Sequence, residues 1–237
     1  MTTEVSEIAD RVYRLSSFVP TAGPAGFTFN QFLVDAEQPF LFHCGQRALF
    51  PSVAEAARRV LDLARLRWIG FSHVEADECG ALDQWLAAAP QAQPTHNRLG
   101  CTLWLNDMSP RPPVARKDGD VLDLGDRRVR WLDTPHLPHN WEAGLLFEEV
   151  TGTLFCSDLF TQMGQTSPTT RDDIVGPAID TERRMGFMPN TANTAPTLRR
   201  LAVLRPRTLA LMHGPAFTGN TAAALEVLAA HYSEPSV

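Results

Sequence analysis

Lysine is almost missing from this chain: Lys117 is the single one, and every other cation outside the histidines is an arginine. That bias carries no functional weight by itself, but the sign of the balance does. Lys plus Arg number 21 against 27 Asp plus Glu, a formal net charge of −6, and no basic run is present. Such a chain is a poor partner for nucleic acid or an anionic membrane. No apolar stretch approaches the ~18–20 residues needed to span a bilayer. The N-terminus carries Glu4 and Glu7 where a secretory leader has basic residues, so a cytoplasmic location is expected. The four cysteines (Cys44, Cys79, Cys101, Cys156) form no Cys-x-x-Cys pair and read as reduced thiols rather than a disulfide framework. Gly-x-Gly-x-x-Gly and Walker segments are absent, which leaves nucleotide cofactors without support. A Gly-x-Ser-x-Gly elbow is absent as well, which removes the serine hydrolases.

What is present is ordinary globular material, 237 residues with 44% hydrophobic and 20% charged side chains. No linker or repeat divides it, so one domain over 1–237 is expected. Short apolar runs alternate with amphipathic stretches, the pattern of a layered α/β (α+β) fold. The strand candidates are Val12–Phe18, Phe29–Val34, Phe40–Phe42, Arg67–Phe71, Val121–Leu124, Val129–Leu132, Leu145–Glu149, Thr153–Ser157 and Thr208–Met212. A turn at Gly125-Asp126 implies antiparallel pairing. Apolar spacing predicts a helix over Val53–Leu66, opened by a Ser52/Glu55 capping box, and further helices over 79–88, 194–204 and 220–232. Residues 161–195 are rich in Thr, Pro, Gly and Asn and read as a long functional loop that shapes a pocket or pairs with a second subunit in a homodimer.

The chemistry concentrates in His73-Val74-Glu75-Ala76-Asp77-Glu78-Cys79, directly after the run Trp68–Phe71. In an extended segment His73, Glu75 and Asp77 share one side, and crowding ionisable groups there is costly unless a cation or hydrogen bonds compensate. A solvated acidic turn before a helix is the bland alternative. Three further apolar runs also end in donor residues: Asp158 after Thr153–Ser157, His213 after Thr208–Met212, and His136 and His139 after Val129–Leu132. Strand ends are where α/β sheets place their sites, and together these residues point to a shared metal centre. His96 and His231 have no such context.

The ordered set His73-x-Glu75-x-Asp77, a proline-rich His segment, Ser157-Asp158 and His213-Gly214 resembles the metallo-β-lactamase fold, a four-layer αββα sandwich. Within it the pattern is similar to the di-iron branch, the flavodiiron proteins and the smaller oxygen-binding di-iron proteins. Glu75 carries that choice, because zinc hydrolases of this fold usually have His there. The resemblance implies two metal ions: His73, Glu75 and His139 on one, Asp77 and His213 on the other, and Asp158 bridging. Hard oxygen donors suit iron, or manganese, better than zinc. Where the family pattern expects His, this chain has Glu78, which either ligates through oxygen or points away. Asp77 and Glu78 are the residues expected to serve the reaction as well as the metal. Counting back from the following strand favours His139 over His136 as ligand. His136, His43 (where the fold commonly has an Asp-x-Gly turn) and Cys79 are candidates for orienting or replacing a ligand.

The resemblance implies a protein that binds or reduces dioxygen or nitric oxide. No flavodoxin domain is recognised after the metal domain, and Thr166–Thr170 lacks the glycine of a flavin phosphate loop. No flavin is therefore expected, and the electrons would come from an external donor. Trp68, Trp131 and Trp141 are candidate walls of the ligand pocket. A two-metal hydrolase and a non-catalytic oxygen sensor are the competing readings.

Overall fold

In a computed structural model that describes residues 2–233, alternation along the strands sorts the apolar side chains into three separate cores. A first sheet runs in chain order, β1 (Thr3–Ala9), β2 (Val12–Val19), β3 (Phe27–Val34), β4 (Phe40–Phe42), β5 (Trp68–Gly70), β6 (Gln93–Asn97) and β7 (Val114–Arg116). Pairing is antiparallel as far as β4 and parallel from β4 to β7. The second sheet is built from β8 (Val121–Asp123), β9 (Arg128–Asp133), β10 (Gly144–Glu148), β11 (Thr153–Ser157), β12 (Thr169–Thr170), β13 (Thr208–Leu211) and β14 (Ala216–Phe217). Its spatial order is β12-β14-β13-β11-β10-β9-β8, with β11 and β13 parallel.

The period of two decides the layering. In β3, Phe29 and Leu33 join one core while Phe32 and Val34 join another. Phe155 of β11 and Ala210 of β13 meet Phe32, Phe40 and Phe42 between the sheets. Their neighbours Leu154, Cys156, Leu209 and Leu211 face the opposite way. The outer face of the first sheet is covered by α1 (Phe50–Arg58) and, after the single turn α2 (Ala76–Cys79), by α3 (Leu82–Ala88). After β6 the chain makes a short helical passage, α4 (Arg98–Gly100), a π turn over Cys101–Leu105 and α5 (Asn106–Met108). The second sheet is covered by α6 (Val175–Met185), α7 (Thr194–Val203) and α8 (Thr221–His231). Helix, sheet, sheet, helix is the expected αββα sandwich. No helix among the described residues is long and apolar enough to cross a membrane.

Several local expectations are corrected. The first helix starts three residues earlier than its periodicity suggests and stops at Arg58. The Ser52/Glu55 capping box does not form, because Ser52 lies inside the helix and donates to the Leu49 carbonyl. Segment 161–195 is not a plain loop: it holds β12, all of α6 and the start of α7.

Both sheets meet at one edge through Asn30 of β3. Its Nδ2 donates to the carbonyls of Leu211 and Gly214, each at 2.8 Å, and its backbone N donates to the Met212 carbonyl at 3.0 Å. These bonds fix where β13 ends. Leaving a buried acceptor unpaired costs about 1–3 kcal/mol. Asn30→Ala is accordingly expected to lower unfolding free energy by about that amount in urea melts; a change within error would show that this seam is not a structural tie.

Candidate metal centre

Strands β9, β11 and β13 run in the same direction, so their C-terminal ends share an edge, and β5 of the other sheet ends beside it. Each end releases one or more donors. His73 follows β5, His139 lies between β9 and β10, Asp158 follows β11 and His213 follows β13. The expected one-sided His-x-Glu-x-Asp arrangement is corrected in detail. Glu75 is the last extended residue (φ −145°, ψ 159°), and Asp77 already lies in the turn of α2. The helical turn therefore sends Asp77 away from His73 and Glu75.

The outcome is two groups of donors on either side of one carboxylate. Nε2 of His73, Oε2 of Glu75, Nε2 of His139 and Oδ2 of Asp158 form the first, with separations of 3.1–3.4 Å between each histidine and its carboxylates. One ligand atom from each of these four residues fits within 4.8 Å of all the others. On the other side, His213 Nε2 lies 3.1 Å from Asp158 Oδ1 and 3.3 Å from Asp77 Oδ2.

Three features fit metal. Oxygen and imidazole ligands sit about 2.0–2.2 Å from an ion, so they must converge to this kind of spacing. Each histidine also has its second nitrogen near an oxygen: His213 Nδ1 2.8 Å from the Thr28 carbonyl, His139 Nδ1 3.2 Å from Asn140 Oδ1, and His73 Nδ1 3.1 Å from Ser72 Oγ. A proton donated there leaves Nε2 as the lone-pair ligand, the arrangement that metal-binding histidines need. Finally, Oδ1 of Asp77 is buried with no hydrogen-bond partner, and buried Oδ1 of Asp158 faces His213 Nε2, itself a ligand atom. Acceptors stranded in that way are what a cation would satisfy.

The electrostatics agree. Burial opposes charge on His139 and His213, but the carboxylates of Asp158 and Glu75 outweigh it for the first, and those of Asp158 and Asp77 for the second, lifting each to about 10. Burial likewise opposes charge on His73, and Glu78, Glu75 and Asp158 raise it. Hydrogen bonds from His139 and His73 pull Glu75 down to about 2. Burial works against the charge of Asp158, yet His139 and His213 hold its carboxyl well below the usual range. Without metal, protons on the imidazoles play the part of cations.

Other candidates lie apart. Glu78 is fully buried behind the cluster: its Oε1 accepts from Ser157 Oγ at 2.6 Å and its Oε2 from the Ser72 backbone N at 2.9 Å. His43, at φ +69°, places Nε2 3.4 Å from the same Oε2, and burial holds its pKa down to about 3. Cys79 donates to the Glu75 carbonyl, and burial pushes the thiol up to about 12. His136 is exposed and outside the donor cluster; its backbone N donates to the Asn140 carbonyl.

Sequence reading missed two residues that shape this edge. Buried His96 has Nε2 3.1 Å from the Ser72 carbonyl, and buried Glu142 accepts from the Val74 backbone N at 2.9 Å. They hold the segment on both sides of His73, and only their polar side chains inside otherwise structural stretches hinted at it. The expected tryptophan walls are also replaced. A recess of about 110 Å³ over the donors is lined by Phe27, Thr161, Met185 and Phe187, the last two following from α6. Phe27 packs against the His213 ring at 4.4 Å between centroids, and Phe187 approaches His139 at 6.0 Å. Trp131 is buried under Gly144, Trp68 stacks with Arg116, and Trp141 is exposed elsewhere.

A family model described as ODP family beta lactamase matches residues 27–214. Among curated relatives, rubredoxin-oxygen oxidoreductase of Megalodesulfovibrio gigas is 26% identical over 212 residues, 84% of this chain and 51% of that protein. The anaerobic nitric oxide reductase flavorubredoxin of Salmonella typhi is 26% identical over 141 residues, 58% of this chain and 29% of that one. The chain thus spans about half or less of these relatives. Among solved structures, rubredoxin oxygen:oxidoreductase from Desulfovibrio gigas superposes with a TM-score of 0.83 at 19% identity, covering 99% of this chain and 63% of the other. A metal-soaked flavodiiron core from Synechocystis gives 0.83 at 20% identity, covering 98% and 60%. The likeness to both structures is one of fold.

Raised histidines make the metal-free protein pH-sensitive in a defined direction. Their ion pairs stabilise it fully below the ordinary histidine value of 6.5, and that contribution is lost as pH rises through about 10. The melting temperature of metal-stripped protein should fall between these limits, and that of metal-loaded protein should fall less. A flat profile for stripped protein would contradict the ion-pair account.

Proposed function

This chain belongs to the ODP beta-lactamase family, and from that membership and its donor set we propose that it is a dinuclear non-haem iron protein. It would bind or reduce dioxygen, or nitric oxide, with electrons from an external donor. The observation that carries the proposal is Glu75 in the first donor group, where it joins Asp77 and Asp158 to make the set half carboxylate. Hard anionic oxygen favours iron or manganese over zinc, and three carboxylates largely offset two divalent charges. Two relatives are named for oxygen and nitric oxide reduction, which suits the same donors.

In this reading His73, Glu75 and His139 would hold one ion, Asp77 and His213 would hold the other, and Asp158 would be shared by both. Two ferrous ions, when bound, would supply electrons for the reduction of a diatomic ligand. The protein's own part is to position and to exclude. Thr161 Oγ1 donates to the Asp158 backbone carbonyl at 2.6 Å and steadies the bridge. Thr28, Asn140 and Ser72 orient the three imidazoles. Phe27, Met185 and Phe187 supply the apolar wall of a recess whose other side is the donors themselves. The recess opens to solvent, and its 110 Å³ directly over the donors has room for a diatomic ligand.

Protein purified without oxygen is expected to carry about two irons per chain and to change its optical spectrum on exposure to air. With a reductant supplied, sustained oxygen or nitric oxide consumption is expected; a reversible spectral change without turnover would favour a sensor. Two zincs, no spectral change and cleavage of ester or phosphodiester probes would overturn the proposal. Asp158→Ala should retain at most one ion by elemental analysis, and retention of both would sink the bridging role.

A further inference from the structure

We infer that the two metal positions are unequal, a tight one with four protein donors and a weaker, exchangeable one with three, because Glu78 is withdrawn from the second. The inference rests on the dinuclear reading above and adds an order of loading to it. Its basis is a difference in donors on the two sides of Asp158. His73, Glu75, His139 and Asp158 form the compact set within 4.8 Å, and among the described residues Asp77 and His213 stand outside any such set. The second position has Asp77 Oδ2, Asp158 Oδ1 and His213 Nε2.

Glu78 is the obvious fourth donor, since it adjoins Asp77 in the same helical turn. Both of its oxygens are already engaged. Ser157 Oγ donates to Oε1 at 2.6 Å, the Ser72 backbone N donates to Oε2 at 2.9 Å, and His43 and His73 approach from the same side at 3.4 and 3.8 Å. Turning the carboxylate toward a metal would strand a buried N–H and a buried O–H, and nothing in the cluster replaces them. Cys79 is no substitute, because its Sγ is engaged with the Glu75 carbonyl at 3.2 Å. Glu78 also takes no part in lining the recess, whereas Asp77, Asp158 and His213 do. The second ion would therefore have fewer protein ligands, while Glu78 braces the strand ends that carry His73 and Asp158.

Anaerobic titration of the metal-stripped chain with Fe²⁺, in competition with a chromogenic chelator, reads this directly. Two classes of one ion each are expected, separated by about tenfold or more in affinity, a typical effect of losing one supporting group at a metal. Asp77→Asn should keep the tight class and lose the weak one, while Glu75→Gln should weaken the tight class. Glu78→Gln should keep both classes, because the amide can still accept from Ser72 and donate to Ser157; its melting curve checks that it is folded. Two ions of equal affinity, or loss of the weak class in folded Glu78→Gln, would overturn the inequality and leave the dinuclear reading intact. Failure of the wild-type chain to bind two ions at any concentration would overturn both.

Discussion

Six ionisable side chains crowd onto one edge of this sandwich, and the cost of holding three carboxylates there is the constraint around which the surrounding structure is organised. Water is largely excluded from His73, Asp158 and His213, so the negative charge has to be balanced locally. Protons on the imidazoles achieve that in the absence of metal, and cations would achieve it better. The same constraint explains why Thr28, Ser72 and Asn140 place an oxygen beside the far nitrogen of each histidine. A ring anchored at Nδ1 can turn neither its lone pair nor its proton away from the cluster.

The sandwich meets this demand with strand ends. Donors on parallel strands emerge at a common edge, and the inter-sheet core of Phe32, Phe42 and Phe155 sets the distance between the two sheets that contribute. Asn30 ties β3 to the segment before His213, and Ser157 ties the end of β11 to Glu78 of the opposite layer. The binding edge is therefore a joint between the two halves, and its geometry is inherited from packing far larger than the site itself.

How much of this was legible in the sequence depended on the kind of signal. Apolar runs such as Thr208–Met212 and Thr153–Ser157 announced buried strands, and a donor immediately after each announced the edge. The spacing alone put Glu75 and Asp77 on one side of an extended segment; only the resemblance separated them, and the structure parts them because α2 starts between them. Strand β6 was invisible because Pro94 and Asn97 are poor strand formers and Thr95 stands alone among polar neighbours; Pro94 nevertheless sits in the sheet between β5 and β7. His96 went unassigned with it. Helix α6 was hidden by Gly176 and Pro177 in its first turn, where the missing proline N–H is tolerated. Phe187 and Met185 were consequently overlooked as walls. The role of Glu78 lay beyond sequence, because identical neighbours could have turned its carboxylate either way.

In the proposed function this carboxylate–histidine edge holds two irons, one on each side of Asp158. Anomalous diffraction at the iron absorption edge, from crystals grown anaerobically with ferrous ion, tests it most directly. Two peaks are expected, one among His73, Glu75 and His139 and the other between Asp77 and His213, with Asp158 in contact with both. A single peak away from Asp158, or none at this edge of the sandwich, would contradict it.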